Sequence, residues 1–517
     1  MSWQSEVDRL EKYKKMARQM GGAERVERHR KAGKLTVRER IDILADPGSF
    51  EEIGTISGSA TYEGDKLASF TPSPMVMGTC NVNGRSVVVN GGDFTVRGGS
   101  GEHTFFKMMY FPAKMALEWR IPYIRLLDAV GGSVRSFEQL GATYLPFGPG
   151  LDPSPELLQI APVVSIVLGS VAGLPAVEAC LAHFNVMVKR TSQLFVAGPP
   201  VVKAALCHEV TKEELGNEKI HAHRSGVIHN VAEDEKDAFD LVRRFLSYMP
   251  ANVWEVPPRI ESEDAPDRRD ESLLKVIPQD RRKLYDPYQI LYSVLDRDSI
   301  FELTPFYGRS RITVLARING HVVGAMIDNP NFMGGSMDIA AAEKQTHFIK
   351  LCNTFHIPIA YFADQPGFMV GPESEKQGML RAGARAHSVI CLSRVPWITF
   401  VIRRLYGVAG ALHLRESGMY RRYAWPSAKW GSMHIEGGAM AAYRREIESA
   451  PDPETKRKEI EERLKAVASP FRTAHNFGVE EIIDPMNTRP LLCKFIASAQ
   501  RVIKDQLGRT SGPCFLP

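Results

Sequence analysis

Asn83-Gly84, Val87-Val88-Val89, Gly98-Gly99-Ser100, Ile121-Pro122 and Asp128 recur as Asn319-Gly320, Val322-Val323, Gly334-Gly335-Ser336, Ile357-Pro358 and Asp364. The landmarks are displaced by 236 positions throughout (319 − 83, 334 − 98, 358 − 122, 364 − 128). One segment written twice predicts two similarly folded halves, and a cleft shared by such halves is a natural place for a site. The likeness continues past the ungapped part. Pro162-Val163-Val164-Ser165-Ile166-Val167-Leu168 precedes Gly169-Ser170-Val171-Ala172-Gly173, as Pro396-Trp397-Ile398-Thr399-Phe400-Val401-Ile402 precedes Gly407-Val408-Ala409-Gly410. Matching the glycine-alanine turns there gives an offset of 237 (410 − 173).

Outside the repeat, a chain of 517 residues exceeds what one hydrophobic core usually supports. Short apolar strands alternate with helices, which predicts an α/β architecture with mostly buried strands. The proline-rich, charged stretch 256–285 reads as a linker between domains at 1–255 and 286–517. Residues 5–45 read as a polar helical arm on the surface or clasping a neighbour. Residues 436–466 read as a solvated, ion-paired helix.

A net charge of +5 gives no case for nucleic acid. The charged N-terminus has no secretory apolar core, and no apolar run is long enough to span a membrane. The seven cysteines show no metal-ligand spacing, so no metal site is expected and a reducing, cytoplasmic setting is.

Glycines after strands are the recurring chemical signal: Gly131-Gly132 after Asp128, Gly367 after Asp364, and Gly407-Val408-Ala409-Gly410. Small residues at a strand-to-helix turn let backbone N–H groups approach a ligand oxygen, the physical content of an oxyanion hole. The plainer reading is that such glycines only close tight turns. Serine-elbow, zinc-protease and phosphate-loop motifs are absent. Gly91-Gly92-Asp93 and Gly98-Gly99-Ser100 lack the spacing of a dinucleotide site. His223, His229, His321 and His356 read as surface or satisfied core histidines. Arg403-Arg404 and Arg421-Arg422 are candidates for phosphate pairing, with ordinary surface charge as the plainer reading.

The assembled residues resemble the carboxyltransferase (beta) subunit of biotin-dependent acyl-CoA carboxylases, the propionyl-CoA and methylcrotonyl-CoA carboxylase group. The resemblance covers nearly the whole chain and includes Gly33-Lys34-Leu35-Thr36-Val37-Arg38-Glu39-Arg40-Ile41, Asp93-Phe94-Thr95-Val96-Arg97-Gly98-Gly99-Ser100, Ala197-Gly198-Pro199-Pro200 and Pro366-Gly367-Phe368-Met369-Val370-Gly371. It implies two tandem crotonase-like domains, with acyl-CoA bound mainly by the N-terminal one and biotin by the C-terminal one. A hexamer of such chains is implied as well. Carboxybiotin would arrive on a partner biotin carboxyl carrier charged by a biotin carboxylase. This chain has no Ala-Met-Lys-Met biotinylation site, so it would borrow both.

The implied reaction moves carboxylate from carboxybiotin to the α (or vinylogous γ) carbon of an acyl-CoA, with two oxyanions to stabilise. The family motif puts the acyl-CoA hole at Gly131-Gly132 and the biotin hole at Val408-Ala409. Gly98, Gly99, Val130, Gly410 and Ala411 would line the substrate side, and Gly367, Phe368 and Gly407 the biotin side. Two departures bear on this. The family writes Asp-Ser-Gly-Gly-Ala where this chain has Asp128-Ala129-Val130-Gly131-Gly132-Ser133, so the acyl donors are Gly131 and Gly132 or Val130 and Gly131. Propionyl-specific members carry Tyr-Asp where this chain has Gly410-Ala411, which predicts a wider, less polar pocket for a larger or branched acyl group. The alternatives are the carboxyltransferase of a biotin-dependent decarboxylase and a non-catalytic acyl-CoA-binding paralogue.

Overall fold

The computed structural model describes residues 2–100, 106–132, 134, 137–138, 141–145, 152–280, 282–510 and 515. They fall into two compact units, Met1–Glu255 and Val256–Phe515.

In the first unit β1 (Glu51–Ile53), β4 (Met75–Val82), β5 (Arg85–Gly92), β6 (Tyr123–Leu127), β7 (Val163–Val167), β9 (Phe184–Val188) and β11 (Asn230–Ala232) form one sheet in that order. Its first two pairings are antiparallel and the rest parallel. A hairpin of β2 (Gly58–Glu63) and β3 (Lys66–Pro72), and a short parallel pair of β8 (Ser170–Ala172) with β10 (Gln193–Phe195), stand beside it. In the second unit the order is β12 (Phe301–Leu303), β13 (Arg311–Ile318), β14 (His321–Asp328), β15 (Ile359–Gln365), β16 (Trp397–Tyr406), β17 (Tyr420–Ala424) and β19 (Glu481–Ile482). There β18 (Lys429–Gly431) pairs with the end of β16.

The repeat is reproduced at the level of strand register. Gly78 faces Val89 and Val88 faces Tyr123; Val314 faces Ala325 and Gly324 faces Ile359, each shifted by 236 (314 − 78, 325 − 89, 324 − 88, 359 − 123). Local chemistry explains the precision. Asn83-Gly84 and Asn319-Gly320 have left-handed backbones (φ 50° and 74°, 48° and 76°), the turn that matches strand twist in a two-residue hairpin. Asp46 accepts both N–H groups of the first turn at 2.9 and 2.7 Å, and Asp296 those of the second at 3.0 and 2.8 Å.

At the next strand the offset changes. Tyr123 faces Val163 and Ile359 faces Trp397, so the shift is 234 (397 − 163). Gly173 (φ 70°) and Gly407 (φ 62°) then coincide (407 − 173 = 234), which corrects the match of Gly173 with Gly410. Two fewer residues separate β15 from β16 (359 to 397) than β6 from β7 (123 to 163), and sequence alone offers no place to put that gap.

Strands β6, β7 and β9 are buried along their whole length, as are β13 and β15. Helices cover their faces, as parallel strands require. Helix Glu235–Tyr248 contributes Ala238, Phe239, Val242 and Phe245 to the first core. Helix Thr488–Asp505 contributes Leu492, Phe495 and Ile496 to the second.

Three local expectations are revised. Of the N-terminal arm, helices α1 (Gln4–Arg18) and α2 (Ala23–Lys31) are largely exposed, whereas α3 (Val37–Leu44) buries Val37, Arg40, Ile41 and Leu44 within the first unit. The stretch 256–285 lies within the second unit, where Leu273, Val276 and Tyr285 join the core. Residues 436–466 form three helices, Ile435–Ala442, Arg444–Glu448 and Pro453–Val467, the last capped by Asp452 ahead of its proline. No helix among the described residues is long and apolar enough to cross a membrane.

Candidate active site

In the first unit β6 runs directly into Asp128, whose side chain is fully buried. Arg40 reaches it at 3.1 Å and Lys34 at 3.3 Å, and Arg40 also forks onto Glu235 at 2.7 and 2.8 Å. Burial pulls the Lys34 pKa down against the opposing attraction of Asp128. A Cβ on Gly169 would fall 1.9 Å from Asp128 Oδ1, so only glycine leaves room for this carboxylate.

The turn after Asp128 is fixed by the Gly98-Gly99-Ser100 loop. The Val130 N–H donates to the Gly98 carbonyl at 2.9 Å, and the Ser100 hydroxyl donates to the Gly131 carbonyl at 3.0 Å. A Cβ on Gly99 would lie 2.6 Å from the Asp128 carbonyl oxygen, so this loop packs backbone to backbone. The N–H groups of Gly131 and Gly132 have no acceptor among the described residues. Gly131 also faces Gly173, whose added Cβ would touch the Gly131 Cα at 3.4 Å. Val130 is therefore committed to Gly98, and the adjacent pair left to donate is Gly131 and Gly132. Ser133 lies outside the described residues.

In the second unit β16 ends at Tyr406, and Gly407 opens the short helix Gly407–Ala411. Val408 is 66% exposed and Ala409 is buried. Their N–H groups fall in the first turn, which has no intrahelical acceptors, and none is found among the other described residues. By contrast, the Gly367 N–H donates to Gln365 Oε1 at 3.0 Å while the Gly367 carbonyl accepts from Met337 at 3.0 Å. Phe368 packs on Gly383, where an added Cβ would lie 2.8 Å from its ring. The Gly367 N–H is thus committed to Gln365, whereas the Phe368 N–H has no acceptor among the described residues.

Gly410 leaves no space for a side chain, since its Cβ would lie 2.9 Å from the Leu405 carbonyl carbon. Ala411 is exposed, and with Gly410, Leu405, His413, Trp430 and Val479 it lines a cavity of about 290 Å³. His413 closes that cavity as a neutral ring: its Nδ1 is 2.7 Å from the Gly410 carbonyl and burial lowers its pKa from 6.5 to about 4. Between those two values the unfolded chain binds a proton that the folded chain does not. Stability therefore falls as pH drops from 6.5 toward 4, by ~3 kcal/mol when the window is crossed. Unfolding midpoints measured across that range should fall steeply for the parent and less for His413→Gln. Equal slopes would show that His413 is not the titrating group.

Arg421 is exposed, as a surface charge would be, whereas Arg403, Arg404 and Arg422 differ from that reading. Arg403 is 6% exposed, and Arg404 holds Asp364 at 2.6 and 3.0 Å. Arg422 forks onto Glu480 at 3.0 and 3.2 Å. His229 and His356 are satisfied core groups, bonded to the Asn185 N–H at 2.8 Å and the Gly508 carbonyl at 3.1 Å. Among the described residues no cluster of three or more His, Cys, Asp or Glu is arranged to hold a metal. Arg40, Lys34 and Glu235 were not among the expected site residues, and Arg404 was a candidate for phosphate pairing alone. Lys34 and Arg40 stood in the quoted Gly33–Ile41 motif, but nothing local gave their partner.

Residues 28–507 match the family model described as the carboxyl transferase domain. The propionyl-CoA carboxylase carboxyltransferase subunit of Haloferax mediterranei is 33% identical over 516 residues, covering 99% of each chain. The methylmalonyl-CoA decarboxylase subunit alpha of Veillonella parvula is 32% identical, covering 92% of each. Among solved structures, the transcarboxylase 12S hexamer with methylmalonyl-coenzyme A bound superposes with a TM-score of 0.87 at 30% identity, covering 97% of this chain and 96% of that one. The chain belongs to the carboxyl transferase family and is an enzyme of the biotin-dependent acyl-CoA carboxyltransferase class.

Proposed function

We propose that this carboxyltransferase moves carboxylate from biotin, carried on a partner protein, to an acyl-CoA with a larger or branched acyl group. The observation that carries the reading is a pair of strand-end turns, one per unit, each presenting two adjacent backbone N–H groups without an acceptor among the described residues. Donors fixed before the reaction stabilise developing oxyanion charge without reorganising. Gly131 and Gly132 would hold the thioester oxygen of the acyl-CoA in the N-terminal crotonase-like domain. Val408 and Ala409 would hold the ureido oxygen of biotin in the C-terminal one. Bound there, biotin supplies the carboxylate and an acceptor for the α-proton, so this chain needs no side-chain base at that step. In the first unit, Asp128 with Arg40 and the Ser100 hydroxyl keep the acyl-side turn in shape. A biotin carboxylase and a biotin carboxyl carrier would be the partners. A hexamer is proposed from the assembly of the transcarboxylase 12S relative.

The cavity beside Gly410 and Ala411 supports the acyl-group reading: Leu405, Val401 and Val479 give it an apolar wall beside Arg422 and His413, and Ala411 stands where the family resemblance puts a carboxylate in propionyl-specific members. The reverse direction uses the same turns, and the likeness to the Veillonella decarboxylase subunit favours it as a second reading.

Free biotin offered with carboxylated acyl-CoAs, from malonyl to methylglutaconyl and branched analogues, tests both substrate class and activity without a partner. We expect biotin-dependent decarboxylation of a branched or larger member, and a shift toward methylmalonyl-CoA in Ala411→Asp. Turnover with unchanged selectivity in Ala411→Asp would remove the pocket argument. Silence across the panel with CoA esters still bound would favour a non-catalytic paralogue.

A further inference from the structure

The two units solve one hydrogen-bonding problem differently. Gly98 and Gly334 are repeat-equivalent (334 − 98 = 236) and share a left-handed backbone, with φ of 68° and 63°. In the first unit the Gly98 carbonyl accepts from the Val130 N–H at 2.9 Å, which ties the glycine loop to the strand-end turn. The equivalent of Val130 is Pro366 (366 − 130 = 236), which has no N–H to give. Pro366 Cδ instead sits 3.6 Å from where a Cβ on Gly335 would be. The Gly334 carbonyl is bonded all the same: Arg404 Nη2 donates to it at 2.8 Å.

Arg404 is placed for this by a bulge. Ala363 faces Val401 and Gln365 faces Leu405, so Asp364 alone stands opposite three residues of β16. Such an irregularity re-aims side chains that a regular ladder would send elsewhere. Within it, the Arg404 backbone N–H donates to Asp364 Oδ1 at 3.1 Å, and the guanidinium donates to the same carboxylate at 2.6 and 3.0 Å. Tyr285 adds its hydroxyl to Asp364 at 3.1 Å. One side chain therefore joins the Gly334 loop, the end of β15 and the last turn of β16. That last turn delivers Val408 and Ala409 four and five residues later.

We propose that Arg404 is a positioning residue of the biotin-side turn, replacing in the second unit the hydrogen bond that the Val130 N–H makes in the first. The inference rests on the assignment of Val408 and Ala409 to biotin. It also gives the arginine a reason lysine cannot supply. A single ammonium keeps the charge beside Asp364 but lacks the fork that reaches Asp364 and the Gly334 carbonyl together.

The test is a double-mutant cycle of the full chain: parent, Arg404→Lys, Pro366→Ala and the two combined. The assay is biotin-dependent decarboxylation of the best acyl-CoA found for the parent, with KM measured separately for free biotin and for the CoA ester. Arg404→Lys should raise KM for biotin about tenfold, with KM for the CoA ester within about twofold of the parent. Pro366→Ala should restore an N–H to the Gly334 carbonyl, so the double variant should return to within about threefold of Pro366→Ala alone. A merely structural role would shift both KM values together and gain nothing from Pro366→Ala. Either result overturns the proposal. Should Arg404→Lys fold only when Pro366→Ala is present, the exchange of donors is supported. If it folds in neither background, the exchange is refuted. An inactive parent would count against the carboxyltransferase reading itself, whereas an active parent with an unaffected Arg404→Lys would count against this inference alone.

Discussion

Replacing Val408 with proline should cut biotin-dependent carboxyl transfer about 10²–10³-fold while leaving the second unit folded. The substitution removes a single hydrogen atom from the backbone, that of the Val408 N–H. Val408 points its side chain into solvent, so the change of side chain removes little packing. Its N–H lies in the first turn of Gly407–Ala411, where no intrahelical bond is lost and proline is tolerated. The preceding residue is Gly407, the residue type best able to accept the restriction proline imposes on its neighbour. What disappears is one of two adjacent donors, and a lost oxyanion donor raises the barrier by about 2.7–4 kcal/mol. Val408→Ala keeps the N–H and should stay within about threefold of the parent, which separates the backbone donor from the side chain. The decisive numbers are kcat with free biotin and the unfolding temperature of both variants. If proline and alanine behave alike, Val408 does not supply the donor.

The sequence revealed what local chemistry determines. The Asn-Gly turns, the Gly-Gly-Ser loops and the strand-ending aspartates are each specified by a few neighbouring residues, so their equal spacing survives as equal register in two sheets. The glycine turns were legible for the same reason. What supports them was not. Asp128 meets Lys34 across 94 residues and Arg40 across 88, and Glu235 meets Arg40 across 195. No periodicity marks a side chain for a partner that distant, so a buried arginine and a surface arginine read alike. Arg403-Arg404 illustrates this. The pair reads as surface charge, yet a β-bulge turns it toward a buried aspartate. The choice among Val130, Gly131 and Gly132 was open for a related reason. Shifting the glycines by one place is visible in sequence, but the acceptor that occupies Val130, the Gly98 carbonyl, becomes adjacent only in the fold.

Removing Arg40 should destabilise the first unit by about 3–5 kcal/mol, the largest stability loss expected of any single substitution considered. Arg40 is 1% exposed and carries two carboxylates, Asp128 at 3.1 Å and Glu235 through a two-bond fork. A fourth donor bond runs to the Leu168 carbonyl at 3.2 Å, just before Gly169. In Arg40→Leu the apolar volume is roughly kept, but Glu235 loses its fork and Asp128 keeps Lys34, a cation already disfavoured by burial, and His29 Nε2 at 3.8 Å. Two buried carboxylates without their shared cation must be rehydrated or protonated, and neither comes free in a site this closed. The double variant Arg40→Leu with Glu235→Leu should recover part of the loss, because removing both members of a buried pair is less damaging than orphaning one. Asp128 lies three residues before Gly131, so the loosened anchor should also lower turnover at the acyl-side turn, with the biotin KM unchanged. Calorimetry would check the first claim, with a downward shift of the first transition of about 2–4 °C per kcal/mol for a unit of this size. A loss below about 1 kcal/mol would mean that water reaches the carboxylates, and that the cluster is not the buried anchor its geometry indicates.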